Sequence, residues 1–182
     1  KLPTPPILKN QYVTFGYCGA SHKLNPEIMK LWGKISRNIP NARFLLKATG
    51  FSVPRIRNSI ISLAITSGMS SKCLTLQEPS SFSDYLKVYN DVDIVLDVQP
   101  HSGGSSILEA LWMGKPVISQ YGNRWAGRSG ADFLRLIGEH ELIAHNDKDY
   151  VKIATNLALD KKRILKISAN LRDKFGDSLI CD

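Results

Sequence analysis

The sequence predicts an α/β fold, a Rossmann-like doubly wound parallel sheet. Three observations carry this. Short apolar or β-branched runs alternate with segments of helical periodicity along the whole chain. One run, VDIVLDV at 92–98, is almost entirely apolar, as a central strand covered on both faces must be. A loop rich in glycine and serine, PHSGGSS at 100–106, follows that run and opens a helix. Sheets of this kind bind ligands beyond the C-terminal ends of their strands.

The elements follow in order. Residues 1–11, beginning KLPTPPILKN, read as an interdomain linker, and 12–182 as the domain. The chain starts at Lys1 rather than a methionine, so it is expected to be part of a longer protein. YVTFGYC (12–18) is the first strand. NPEIMKLWGKISRNI (25–39) is a helix, with Asn25 a good N-cap and Pro26 suited to the first helical position. RFLLKA (43–48) is a strand, and 53–68 a helix closed by Gly68. CLTLQ (73–77) is a strand, and SFSDYLKVYND (81–91) a short helix. After the strand at 92–98 come a helix at about 106–113 and the strand KPVIS (115–119). A helix at 127–137, the strand ELIA (141–144) and helices at 147–159 and 162–175 complete the chain.

At 182 residues and 43% hydrophobic, the chain can bury a real core, which excludes a disordered class. No apolar run approaches the roughly 20 residues of a membrane span. The net charge of +8 and a pI near 9.5 point to an anionic partner: nucleic acid, an acidic membrane surface or a phosphorylated ligand. The densest basic stretch, DKKRILKISANLRDK (160–174), has apolar residues at helical spacing, so its lysines read as the wet face of an ordinary helix. Trp32, Trp112 and Trp125 do not cluster with basic residues, so a nucleic-acid partner is not expected.

Cys18, Cys73 and Cys181 are odd in number and far apart. They form neither a disulfide framework nor a zinc pair, and a reducing, cytoplasmic setting fits them. His22, His101, His140 and His145 lack metal-site spacing, so neither a metal nor another cofactor is expected. The D-x-D at Asp91–Asp93 sits where a helix hands over to a buried strand, which favours a turn role for Asp93.

The loop at 100–106 admits two readings. Glycines let a backbone approach a ligand closely, and a helix N-terminus offers unpaired N–H groups and partial positive charge to an anion. Gly103, Gly104, Ser105 and Ser106 would then form a phosphate cradle, with His101 beside it. Alternatively, Ser106 and Glu109 fit S-x-x-E, a capping box that needs no ligand. The loop is neither a Walker A motif nor G-x-G-x-x-G.

DVQPHSGGSSILEALWMGKPVIS (97–119) resembles the donor-binding signature of the O-GlcNAc transferase and SPINDLY family, D-T-F-P-Y-x-G-T-T-T-x-x-E-A-L-W-M-G-x-P-V. Asp97, Pro100, Gly103, Glu109, the run 110–114, Pro116 and Val117 match, and Ser105 and Ser106 keep a hydroxyl. The segments 13–47 and 127–160 resemble further stretches of that family, in order and with few gaps. Two departures stand out: Gly104 lacks a side-chain donor, and CGASHK (18–23) lacks the polar residues that precede the family's lysine.

The resemblance implies the C-terminal, nucleotide-sugar half of a GT-B glycosyltransferase. It implies transfer of a sugar, GlcNAc first, from a UDP-sugar to protein Ser/Thr without a metal. It gives Lys23 the catalytic role of meeting charge on the leaving diphosphate, and Glu109 the ribose hydroxyls. The run 103–106 takes the diphosphate. Tyr85, where many members carry a histidine, would stack on the base or pack on its own helix. KLNP (23–26) and Tyr85 also resemble the bacterial protein N-glucosyltransferases, which would make UDP-glucose the donor. A sugar-nucleotide epimerase and a basic nucleic-acid module are the remaining alternatives. The acceptor would reach the site through a preceding domain.

Overall fold

The computed structural model describes residues 2 and 4–182, and of Phe82 the backbone alone. Among them, six strands form one sheet: β1 (Thr14–Ala20), β2 (Arg43–Thr49), β3 (Leu74–Gln77), β4 (Ile94–Leu96), β5 (Val117–Gln120) and β6 (Ile143–Ala144). Every neighbouring pair is parallel. The order is β3-β2-β1-β4-β5-β6. This is the doubly wound Rossmann-like order, with its switch point between β1 and β4.

The helices are α1 (Pro26–Asn38), α2 (Pro54–Thr66), α3 (Phe82–Lys87), α4 (Ser105–Trp112), α5 (Ser129–Leu136), α6 (Asp147–Leu159) and α7 (Lys161–Gly176). α1 packs on α2 and α6, and α4 on α7. Asn25 caps α1, its side-chain oxygen accepting from the Ile28 N–H at 2.9 Å. Gly68 ends α2 at φ +91°, a conformation that costs glycine little. The core centres on Trp32, Phe15 and Phe44, all almost fully buried. Phe15 and Phe44 stack at 5.3 Å. Each such side chain stabilises the fold by about 1.5–3 kcal/mol.

The clearest departures are in β1, β4 and the helix expected at 81–91, while β5 and β6 start two residues later than the expected 115 and 141. β1 begins two residues later than 12, because the Asp93 carboxylate takes the Thr14 N–H at 2.9 Å where the ladder starts. β4 is shorter than 92–98, because the Asp97 side chain takes the Val98 N–H at 2.8 Å and turns the chain into the loop. The helix expected at 81–91 tightens after Lys87 into a 3-10 turn, Val88–Asp91.

Of the expected linker at 1–11, Lys1 and Pro3 lie outside the described residues. The rest rests on the domain: Ile7 is buried, and its N–H donates to the Asp93 carboxylate at 2.8 Å. Asp93 therefore ties the chain's entry to the N-terminal edge of the sheet, in keeping with a structural rather than metal-binding D-x-D. The basic stretch at 160–174 is also as expected. Lys161, Lys162, Lys166 and Lys174 are exposed on α7, while Ile164, Leu171 and Phe175 are buried. Among the described residues, no helix is long and apolar enough to cross a membrane.

Candidate functional site

The switch point is organised by a buried carboxylate. Asp97, immediately after β4, accepts from the Val98 and Gly103 N–H groups at 2.8 Å each. It also accepts from the Ser102 and Ser119 hydroxyls at 2.5 and 2.6 Å. Ser102 Oγ in turn accepts from the Gly130 N–H at the start of α5, at 2.8 Å. A Cβ at Gly130 would collide with the Asp97 carboxylate, so that approach requires glycine. The Asp97 carbonyl accepts from the Tyr150 hydroxyl at 2.7 Å. Burial pushes the Asp97 carboxyl up, and the donors to it work against that shift. One residue thus ties the loop, β5, α5 and α6 together at the end of the sheet where ligands bind.

This network changes the expected cradle. The Gly103 N–H is engaged by Asp97 and does not face a ligand. Gly103 is confined instead by packing, since a Cβ there would lie 2.7 Å from Ile107 Cγ1. The N–H groups of Gly104, Ser105 and Ser106 have no partner among the described residues. They are the unpaired donors of a helix start, at the positive end of its dipole. A Cβ at Gly104 would meet nothing within 4 Å, so space stands open in front of them.

The expected capping box does not form. α4 starts at Ser105, one residue before the predicted start, with Gly104 as N-cap and no side-chain cap bond. Ser106 is therefore inside the helix, and its hydroxyl cannot cap it. The first turn is braced from below instead, by the buried Tyr89, whose hydroxyl donates to the Ser106 carbonyl at 2.9 Å.

A cavity of about 430 Å³ opens over these N–H groups, at the C-terminal ends of β1 and β2. Lys23, Lys47, Tyr85, Ser105, Ser106 and Glu109 line it, with Gly104 at its mouth. Lys23 is half-buried, its ammonium donating to the Ser102 carbonyl at 3.2 Å. Lys47 is 6% exposed, and its ammonium donates to the Glu78 carbonyl at 2.8 Å. Among the described residues, neither lysine pairs with a carboxylate. Tyr85 is half-buried and packs edge-on against Tyr89, with ring centroids 6.1 Å apart. Burial raises both phenols' pKa values, and the nearby Glu109 carboxylate adds to this. Burial also pushes the Cys18 thiol behind them up to about 12.

The structure thus brings Lys23, Tyr85, Gly104, Ser105, Ser106 and Glu109 together. Gly103 is behind the cradle, and His101 is an exposed loop residue outside the cavity lining. Sequence reasoning missed Lys47, whose one signal was a lysine inside an apolar strand. It also missed the structural work of Asp97 and Ser102. Two ammoniums, three free N–H groups and two hydroxyls facing one carboxylate suit a ligand that carries both phosphate and a diol. Among the described residues, no three His, Cys, Asp or Glu side chains gather as a metal-binding group.

The chain is similar to known proteins over most of its length. Relatives include the Arabidopsis thaliana protein named probable UDP-N-acetylglucosamine--peptide N-acetylglucosaminyltransferase SPINDLY, 32% identical over 99% of this chain. The chain spans 20% of that relative's length. Among solved structures, a Thermobaculum terrenum O-GlcNAc transferase mutant superposes with a TM-score of 0.86 and 34% identity, over 91% of this chain and 32% of that one. The C-terminal domain of a Francisella tularensis group 1 glycosyl transferase shares the fold, with a TM-score of 0.65 and 17% identity, over 95% of this chain and 92% of that one. Residues 7–182 match the pattern of glycosyl transferase family 41, and the chain belongs to that family.

Proposed function

We infer that this chain is the donor-binding domain of a protein glycosyltransferase that takes its sugar from a UDP-sugar. One observation carries the reading: the unpaired N–H groups of α4, Lys23, Lys47 and Glu109 all face one cavity at the switch point. The diphosphate lies over the start of α4, and Glu109 accepts from the ribose hydroxyls. As the bond from sugar to diphosphate breaks, negative charge grows on the leaving group. Fixed N–H dipoles and the Lys23 ammonium meet that charge, which lowers the barrier. They supply the positive charge that a metal provides in other designs, so transfer proceeds without one.

The names of the relatives favour GlcNAc as the sugar and a protein hydroxyl as the acceptor. The unpaired Cys18, Cys73 and Cys181 support a reducing, cytoplasmic setting. Calorimetry with UDP and GDP, each with and without EDTA, tests the reading, followed by a melting screen with UDP-GlcNAc, UDP-glucose and GDP-fucose. UDP is expected to bind equally well with EDTA present. Loss of binding on chelation overturns metal independence, and a preference for GDP or GDP-fucose overturns the uridine donor.

A further inference from the structure

A larger cavity, about 840 Å³, opens at the same end of the sheet, beyond β4, β5 and β6. Gln99 and Pro100 form one wall, residues 120–124 a second, and residues 145–148 at the start of α6 a third. The loop at 99–104 is the ridge between this groove and the donor pocket, so a chain lying in the groove reaches the donor across it.

The groove is built on a braced loop. Gln99 Nε2 donates to the Gln120 and Gly127 carbonyls at 2.7 Å each. Arg128 donates to the Gly122 and Asn123 carbonyls at 2.9 and 3.2 Å. The Tyr121 ring lies 4.9 and 4.8 Å from the Arg128 and Arg135 guanidiniums. On this loop Trp125 is 83% exposed, an aromatic of the kind that anchors partners.

The charges that face the groove are unequal. Arg124 and Lys148 are exposed, and their side chains have no ion-pair or hydrogen-bond partner among the described residues. Arg128 is not part of the lining; its guanidinium is spent on the carbonyls of the 120–124 loop, so Arg124 and Lys148 are the cations of the groove itself. His145 stands beside them. Asp147 is the opposing carboxylate, and it accepts from Gln120 Nε2 at 3.3 Å. Asp149, in the first turn of α6 and outside the groove lining, accepts from Asn146 Nδ2 at 2.8 Å.

We propose that this groove binds an acidic stretch of polypeptide, the flank of the protein acceptor. The acceptor assignment rests on the donor reading above. Unlike α4, the start of α6 is closed to a phosphate: Asn146 caps it, and Asp147 and Asp149 occupy its first turn. What remains is spaced side-chain cations on the rim, a pattern for carboxylates along a chain rather than for a compact diphosphate. The Asn123 and Gln120 carboxamides match main-chain N–H and C=O groups.

The test uses this 182-residue chain, whose core is its own. Anisotropy measures binding of labelled decapeptides of glutamate or of alternating Ser and Gly, and of a uridylate decamer, at low and at physiological salt. The glutamate peptide is expected to bind best, and Arg124→Glu with Lys148→Glu to weaken it on the order of tenfold or more. Lys161→Glu with Lys162→Glu changes net charge equally on α7 and is expected to leave binding as it was. Saturating UDP is expected not to displace the peptide, and the groove variant to bind UDP normally by calorimetry. Equal loss in the α7 variant, no loss in the groove variant, displacement by UDP, or tighter uridylate binding each overturns the proposal. Groove-dependent peptide binding without any UDP heat supports the groove while overturning the donor reading.

Discussion

Replacing Glu109 by alanine separates binding from folding at one position. The carboxylate sits half-buried on the wall of the donor cavity, in the second turn of α4. It caps nothing, since the N-cap is Gly104. Its loss leaves the Tyr85 phenol with Tyr89 as a neighbour at 3.4 Å, and alanine is the better helix former. Stability should therefore change by no more than about 1 kcal/mol. Binding is different. A charged hydrogen bond from ribose to a partly desolvated carboxylate contributes about 1.5–3 kcal/mol. At about 1.4 kcal/mol per factor of ten, Glu109→Ala should raise the Kd for UDP roughly 10- to 150-fold. Calorimetry gives the Kd, and a melting curve on the same preparation gives the stability. A variant that melts well below the parent but binds UDP normally would refute the reasoning and return Glu109 to a structural role.

Three further outcomes follow from neighbouring geometry. Gly103→Ala places a methyl against Ile107 and should cost about 1–3 kcal/mol of stability, whereas Gly104→Ala meets open space and should weaken UDP binding with little change in melting; equal effects on both properties would count against the cradle. In the complete enzyme, Lys23→Ala should lower kcat on the order of 100-fold or more, with a smaller change in the donor KM, because the lysine answers charge that grows in the transition state; normal kcat with raised KM assigns it to ground-state binding. Lys115 is 1% exposed, its ammonium has no hydrogen-bond partner among the described residues, and burial depresses its pKa to about 8. The unfolded chain then binds more protons between about pH 8 and 10, so this group's contribution to stability rises with pH in that window and is least favourable below it. Lys115→Met should melt higher than the parent at pH 7, and the gap should narrow towards pH 9.5; a gap independent of pH would show that the lysine is not the titrating group.

Periodicity along the chain was enough to locate each described strand and α-helix, though not its bounds or the 3-10 turns, because each element's apolar face repeats within a few residues. Asn25 as a cap and Gly68 as a stop were legible for the same reason: the capping bond and the stop lie within one turn, whereas the bond from Asn25 Nδ2 to the Gln99 carbonyl, 74 residues away, was not legible. The open start of α4, with its unpaired N–H groups, was legible from a loop of glycines and serines after an apolar strand. Spacing left the capping-box reading of Ser106 and Glu109 open beside the cradle, and only the path of the chain from Asp97 decides which residue starts the helix. The same holds for Gly103, whose N–H was expected to face a phosphate and instead serves the loop. Lys47 reaches the donor cavity only because β2 lies beside β1, and its ammonium bonds to a carbonyl 31 residues away. Asp97 holds Ser119 across 22 residues, and Asp93 holds Ile7 across 86. Local propensity and patterning are properties of neighbouring residues, and the sequence by itself determined them. Which buried carboxylate receives which distant donor depends on strand order and helix docking, and only the tertiary structure decided that.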